Sequence, residues 1–382
     1  MKFGKKRIQL CSGQVAILRY RCSVAKLIPV SHLFPRGILL LLSLAFTLGV
    51  RPVLAQVEVN RSVDAQGKKY YTPPTRNAVN RGLKFLAERQ HPDGSFGSGS
   101  TFKNNVAVTA LCGMAFLAEG STPGRGKYGG QVQKAVDFIL ASCKPSGYII
   151  SPDSISHGPM YGHGFATLFL AEVYGMTHRK DVRIKLEKAV ELIVKSQNAK
   201  GGWRYTPESK DADLSVTVCQ IMALRAARNC GIFISKEVID RCTKYVKESQ
   251  NPDGGFRYQL VHQAESEFPR SAAGVVALYS AGIYEGAEIQ NGLGYLMRHL
   301  PNQRYFRGSH YYYGQYYAVQ AMWQAGAGYW DDWYTAIREE LVAGQMTSGS
   351  WRPGSANCVE YSTAMSCIVL QIPRNNIPIF QR

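Results

Sequence analysis

The sequence lacks most signatures of common catalytic chemistry. It has no Cys-x-x-Cys pair, no Gly-x-Ser-x-Gly elbow, no His-Glu-x-x-His and no phosphate-binding loop. The usual sequence marks of a thiol redox centre, a serine hydrolase, a zinc protease and a P-loop enzyme are therefore missing. One Gly-x-Gly-x-x-Gly occurs, from Gly124 to Gly129. No strand pattern precedes it, so it reads as a loop between helices. Acidic residues are absent from the first 55 positions, which hold nine Lys and Arg. Elsewhere the cations form no stripe, and binding to nucleic acid is not expected.

The basic leader ends in a run of 14 apolar residues, Gly37 to Val50, followed by Val53-Leu54-Ala55. This is the pattern of a secretory signal cut before Gln56. The run is short for a membrane span, and Gln56 is not a lipoprotein cysteine. Export to the periplasm or the exterior is expected; an uncleaved leader would make the protein membrane-anchored. Subtracting the nine leader cations from the net charge of +18 leaves about +9, scattered among 27 acids as on a solvated surface. Seven of the nine cysteines lie beyond the leader. Cys112, Cys219 and Cys367 fall in apolar helical runs and read as buried thiols. Cys230 and Cys242 flank a helix–helix turn and are candidates for a disulfide.

Behind the leader the chain repeats. GLKFLAERQHPDGSF at 82–96, AVDFILASCKPSGY at 135–148, AVELIVKSQNAKGGW at 189–203, CTKYVKESQNPDGGF at 242–256 and ELVAGQMTSGSW at 340–351 align, with a degenerate copy at 292–306. The anchor position falls at Gln90, Cys143, Gln197, Gln250, His299 and Gln345, with spacings of 53, 54, 53, 49 and 46. Each unit reads as an amphipathic helix, a Gly-rich turn closed by an aromatic, and a second helix apolar on nearly all sides. The aromatics are Phe96, Tyr148, Trp203, Phe256, Phe306 and Trp351. A helix apolar all round must be buried. Six such pairs predict an all-α fold of two concentric shells, an α6/α6 toroid, over residues 77–372. Residues 56–76 form a linker and 373–382 a tail. An open solenoid is the competing arrangement.

The motif of an aromatic, helical residues, Gln, a short turn and Gly-x-aromatic resembles the QW repeat of terpenoid cyclases and the repeats of protein prenyltransferase β subunits. Phe85…Gln90…Gly94-Ser95-Phe96, Ile193…Gln197…Gly201-Gly202-Trp203 and Tyr245…Gln250…Gly254-Gly255-Phe256 carry it. Each Gln is expected to bond backbone groups left free at a helix end. The resemblance implies a central cavity suited to an apolar, isoprenoid-like ligand. It does not by itself supply a reaction. Cyclases of this kind carry a second helical domain and prenyltransferases a separate subunit, so a partner subunit or an envelope component is a second expectation. The thioester motif of complement-like toroids is absent.

Inner helices that all start at one rim converge their N–H groups there, which suits an anionic group. Asp211-Ala212-Asp213 opens one of them and looks like the start of the cyclase D-x-D-D acid motif, with Leu214 in place of the third Asp. Asp213 would match the proton donor and Asp211 its neighbour. The competing role for Asp213 is a helix N-cap. Substrate-contacting residues expected at the rim and cavity are His163, Arg270, His310, Tyr312, Tyr316 and Glu360, with His157 a further rim histidine. The resemblance to zinc-dependent prenyltransferases would draw on Asp211 or Asp213, Cys358 and His310, whose spacing does not match a zinc set. No metal or other cofactor is expected.

Overall fold

The computed structural model describes residues 67, 69–151, 158–208, 210–261, 264–301 and 308–381. The chain divides into Met1–Glu58 and Val59–Arg382, and every described residue lies in the second unit. The leader, His157 and Phe306 lie outside the described residues.

Twelve helices longer than one turn alternate among the described residues. They are α1 (Pro73–Arg89), α2 (Val106–Glu119), α3 (Gly129–Ala141), α4 (Pro159–Tyr174), α5 (Lys180–Lys195), α6 (Leu214–Asn229), α7 (Lys236–Glu248), α8 (Phe268–Ala281), α9 (Ala287–Met297), α10 (Tyr311–Ala325), α11 (Ala327–Ala343) and α12 (Val359–Gln371). The even-numbered helices are the apolar ones: in α2 nearly every residue from Val106 to Ala118 is buried. The odd-numbered ones bury a single stripe, such as Val182, Leu186, Ala189, Val190 and Ile193 in α5, the outcome expected of a helix with one wet face. Local signals fix the ends. Asn105 Oδ1 accepts from the N–H groups of Ala107 and Val108 to start α2, and Gly120, at φ 105°, ends it.

The inner helices pack in a cycle: α2 on α4, α4 on α6, α6 on α8, α8 on α10, α10 on α12, and α12 back on α2. The ring is therefore closed, which settles the question against an open solenoid. Starts meet starts and ends meet ends: Gln220 of α6 donates to Met160 O at the start of α4, and Arg225 reaches Tyr279 O at the end of α8. Inner helices approach closely where small residues sit. A Cβ on Gly164 would lie 2.9 Å from Cys219 Cβ.

The repeat motif ties each outer helix to the next. Gln90 Nε2 donates to Gly94 O in its own turn and to Gln131 O in the next outer helix, at 3.0 and 2.9 Å. Gln197 does the same with Gly201 O and Val238 O, and Gln250 with Gly254 O and Glu288 O. Gln345 closes the circle, bonding Gly349 O and Ala78 O of α1, both at 2.7 Å. The bonds thus run to a carbonyl of the turn just after the Gln's helix and to a carbonyl of the neighbouring outer helix. The turn glycines Gly94, Gly147, Gly201, Gly254 and Gly349 all have φ near +90°. Each abuts the backbone of the next outer helix, where a Cβ would lie within 2.7 Å of a carbonyl oxygen, so both conformation and space demand glycine. The closing aromatics Phe96, Trp203, Phe256 and Trp351 are buried; in the second unit that slot is filled by the buried Ile149, and Tyr148, expected there from sequence, lies one residue earlier and is half-buried.

Candidate functional site

The rim where the inner helices start holds the Asp211/Asp213 pair. Asp213 is fully buried. Its Oδ1 accepts from Val216 N at 2.8 Å, capping α6, and its Oδ2 lies 3.3 Å from Arg204 Nη1. Asn105 holds the equivalent cap on α2, so the repeat itself calls for a capping side chain here. Burial pushes the Asp213 carboxyl up to about 6, against the opposing pull of the Val216 N–H and Arg204. Asp211 is half-exposed and receives Gln259 Nε2 at 3.0 Å, with Arg204 Nε at 3.5 Å.

Arg204 is held in turn by aromatics. Its guanidinium lies over Tyr205, 4.5 Å from the ring centre, and donates to Tyr258 Oη at 3.2 Å. The Tyr205 and Tyr258 hydroxyls bond each other. Tyr161 stacks obliquely on Tyr205 at 6.1 Å. At the starts of the inner helices Tyr161, Ser215, Tyr313 and Tyr361 keep partial exposure, Tyr161 and Tyr313 being close enough to Asp213 to feel its charge. The result is a group of partly exposed phenols at this rim, with the acid buried behind them.

Below this rim, side chains cross the axis. Tyr313 Oη crosses the ring from α10 to bond Ser215 O of α6 at 3.1 Å, and one turn lower Tyr317 Oη meets Cys219 Sγ at 3.3 Å. Phe165 of α4 meets Tyr316 of the opposite helix α10 edge-on at 6.1 Å. Tyr316 is buried and its hydroxyl has no partner. Burial raises the Cys219 thiol to about 12, so it is no nucleophile.

The other expected contact residues are dispersed. His163 is fully buried between the shells; its Nδ1 accepts from Ile149 N and its Nε2–H donates to Ala189 O, at 3.2 and 3.1 Å. Both nitrogens are spent on backbone. In other units Thr109, Thr217, Ser271 and Thr363 receive the corresponding N–H, so His163 occupies a packing slot of the repeat. Burial holds it near 4, neutral. Arg270 braces its own turn through Phe256 O, Glu265 O and Glu267. His310 is exposed at φ 63° on the α10 N-cap, and Tyr312 Oη donates to Arg352 O. Glu360 is buried at the seam where the ring closes, bound by Arg89 at 2.8 Å and Ser98 Oγ at 2.7 Å. Burial would raise its carboxyl, but these bonds outweigh that and hold it below its ordinary range. Cys230 and Cys242 are free thiols, not a disulfide. Among the described residues no three His, Cys, Asp or Glu side chains gather as a metal would need.

Arg204, Tyr205 and Tyr258 were not singled out from sequence. Arg204 and Tyr205 directly follow Gly-Gly-Trp, and Tyr258 stands two residues after the equivalent Phe256, so position in the repeat was the available signal.

A family model described as the prenyltransferase alpha-alpha toroid domain matches residues 75–308. The chain belongs to that family. Among curated proteins it is similar to the drimenyl diphosphate synthase of Streptomyces showdoensis, 27% identical over 189 residues, which is 48% of this chain and 32% of that protein. The chain thus spans about a third of the relative's length. Among solved structures, a type II terpene cyclase from Scytonema in complex with merosterolic acid A superposes with a TM-score of 0.56 at 15% identity, covering 80% of this chain and 98% of that one. An α-1,6-mannanase from Salegentibacter also reaches 0.56, at 11% identity, covering 78% and 98%. Equal likeness to a cyclase and a glycan hydrolase concerns the fold alone.

Proposed function

We propose that the chain is a binding toroid whose tyrosine-lined rim takes an apolar, isoprenoid-like ligand, and that Asp213 serves as a helix cap rather than a proton donor. The observation that carries this reading is the position of Asp213. Its two oxygens are engaged by Val216 N–H and Arg204, and it has no exposed surface from which to reach an alkene. The groups that do reach the rim are phenols, whose faces suit an apolar or isoprenoid chain. A solved relative, the Scytonema type II cyclase, is described in complex with geranylgeranyl dihydroxybenzoate, which supports the ligand class. Export behind the basic leader is part of the same proposal, with a partner subunit or envelope component as the other occupant of the rim. N-terminal sequencing should start at or near Gln56; finding residues 1–30 on the mature protein would rule out cleavage.

A second reading, an acid-initiated cyclase, is favoured by one feature: burial brings Asp213 to about 6, above an ordinary carboxyl. The test separates the two. Purified protein is titrated with geranylgeranyl diphosphate and geranylgeraniol, and products are sought by mass spectrometry at pH 5 and pH 7. Binding without turnover, retained in Asp213→Asn, is the expected result. Turnover lost in Asp213→Asn at unchanged Tm would establish the cyclase instead, and no binding of either compound would remove the ligand reading.

A further inference from the structure

Arg204 and Arg257 hold the same place in consecutive units, each directly after the closing aromatic, Trp203 and Phe256. Their surroundings differ. Arg204 is matched by two acids: Asp213 Oδ2 lies 3.3 Å from its Nη1 and Asp211 Oδ2 lies 3.5 Å from its Nε. The Asp213 carboxyl also accepts the Val216 N–H in the first turn of α6. One carboxyl is thus held between a guanidinium and a helix start.

In the next unit the two donors are present without the carboxyl. Arg257 is half-buried, its main-chain N–H is fixed on Ser249 O at 2.9 Å, and its Nε is enclosed with no hydrogen-bond partner. Among the described residues no carboxylate pairs with its guanidinium. Glu267 stands before α8 as Asp213 stands before α6, but it makes no cap bond; it is exposed and turned to Arg270 Nη1 at 3.2 Å. The Arg270 N–H, the counterpart of that of Val216, therefore receives no side-chain oxygen from the cap. The start of α8 also borders the rim phenols. Tyr258, next to Arg257, bonds Arg204 and Tyr205. Gly314, next to Tyr313, abuts the first turn of α8: a Cβ on it would lie 2.6 Å from Phe268 Cε1 and 3.3 Å from Pro269 Cα.

We propose that Arg257, with the first turn of α8, receives the carboxylate end of the ligand, an isoprenoid-like carboxylic acid whose apolar chain lies on the rim tyrosines. This rests on the ligand reading above and adds the head group to it. An enclosed cationic nitrogen without a partner is costly, and a carboxylate supplies the partner in the way that Asp213 supplies it to Arg204. The fork of a guanidinium matches the two oxygens of one carboxylate. An uncharged alcohol leaves the guanidinium unmatched. A diphosphate brings more charge than this turn accepts, because Glu265 and Glu267 are exposed on it and repel a multiply charged head.

Calorimetric titration of the full chain at neutral pH with geranylgeranoic acid, geranylgeraniol and geranylgeranyl diphosphate tests the assignment. The acid should bind at least about tenfold more tightly than the alcohol or the diphosphate, the scale of one charge-assisted hydrogen bond. Arg257→Gln should bring the acid down to the alcohol's affinity. The methyl ester of the acid removes the charge from the ligand instead of the protein; it should bind like the alcohol, and it serves if Arg257→Gln fails to fold. Equal binding of acid and alcohol, or of acid and ester, or an acid preference that survives in Arg257→Gln, overturns this proposal and leaves the ligand reading standing. A diphosphate bound most tightly overturns the carboxylate assignment. No binding of any of the three overturns both.

Discussion

The junctions at Gln197 and Cys143 stand next to each other on the ring and solve the same problem differently. Both place a glycine at positive φ against the next outer helix, Gly201 against Arg241 and Gly147 against Lys188. At the first, Gln197 bridges to Val238 O, and Trp203 is buried with its Nε1 on Ile193 O at 2.8 Å. At the second, Cys143 Sγ reaches only Lys144 O, and the smaller Ile149, also buried, fills the slot of Trp203. The crossing bond to the next outer helix is made from the inner shell, by His163 to Ala189 O, and Lys185 reaches back to Leu140 O. The glycine contact is thus the shared element. The polar tie moves from one side chain to another, and a histidine that looks like a rim ligand in the sequence is the compensation for a missing glutamine.

The largest effect should come from breaking the aromatic half of the stronger junction. Trp203→Ala is expected to cost roughly 3–5 kcal/mol in urea unfolding, as for other buried large aromatics. Ile149→Ala, at the position of the weaker junction that corresponds to Trp203, should cost about 2–3 kcal/mol, because fewer buried atoms are removed. Equal losses would mean that the two junctions do not differ in packing.

The same two units should titrate in opposite senses. Asp213 bonds Trp203 O through its backbone N–H at 2.9 Å, so it belongs to the Gln197 junction as His163 belongs to the other. Folding raises Asp213 from 3.8 to about 6. Its stabilisation is full below 3.8 and is lost as pH rises through 6. Folding lowers His163 from 6.5 to about 4. Its stabilisation is full above 6.5 and is lost as pH falls through 4. Each swing amounts to about 3 kcal/mol, and in the wild type they offset one another between pH 4 and 6.5. Asp213→Asn keeps the cap and should leave stability rising with pH across that window. His163→Thr, the residue type at the equivalent slot, should leave it falling. Urea midpoints at pH 4 and 6.5 check both; parallel slopes in the two variants would refute the offset.

At neutral pH His163→Ala should cost about 2–3 kcal/mol, since it strands the Ile149 N–H in the interior and leaves a buried void. Thr217→Ala strands only the Trp203 N–H and should cost about 1–2 kcal/mol by the same reasoning.

The alternation of amphipathic and apolar helices, the Gly turns and the aromatic plugs were legible in the sequence because each is periodic and local. The cap at Asp213 was legible for the same reason: an acid directly before an apolar helix. The crossing of the axis by side chains was not. Tyr313, Tyr316 and Tyr317 are plainly aromatic in the sequence, but whether they line a lumen or span it depends on the ring's diameter, set by contacts such as Gly164 against Cys219. Arg270, Glu360 and His163 are polar residues near helix starts, and sequence cannot separate a rim ligand from a side chain that turns back onto its own loop or seam. Buried tail residues such as Ile379 carry no periodic signal at all.

The smallest effect expected, and the sharpest test of the comparison, is Cys143→Gln. A glutamine there should reach Gly147 O and Lys185 O of α5, as Gln197 reaches Gly201 O and Val238 O. Alone it should stabilise by only about 0.5–1 kcal/mol, because a net intramolecular hydrogen bond contributes little and Lys185 and His163 already tie this junction. In a double-mutant cycle the outcome should change. With His163→Ala present the crossing bond is missing, and the new glutamine should recover about 1 kcal/mol more than it does in the wild type, a coupling typical of groups sharing one network. Additive effects, measured by urea unfolding of the two single variants and the double variant, would mean that His163 and the repeat glutamine do not substitute for each other.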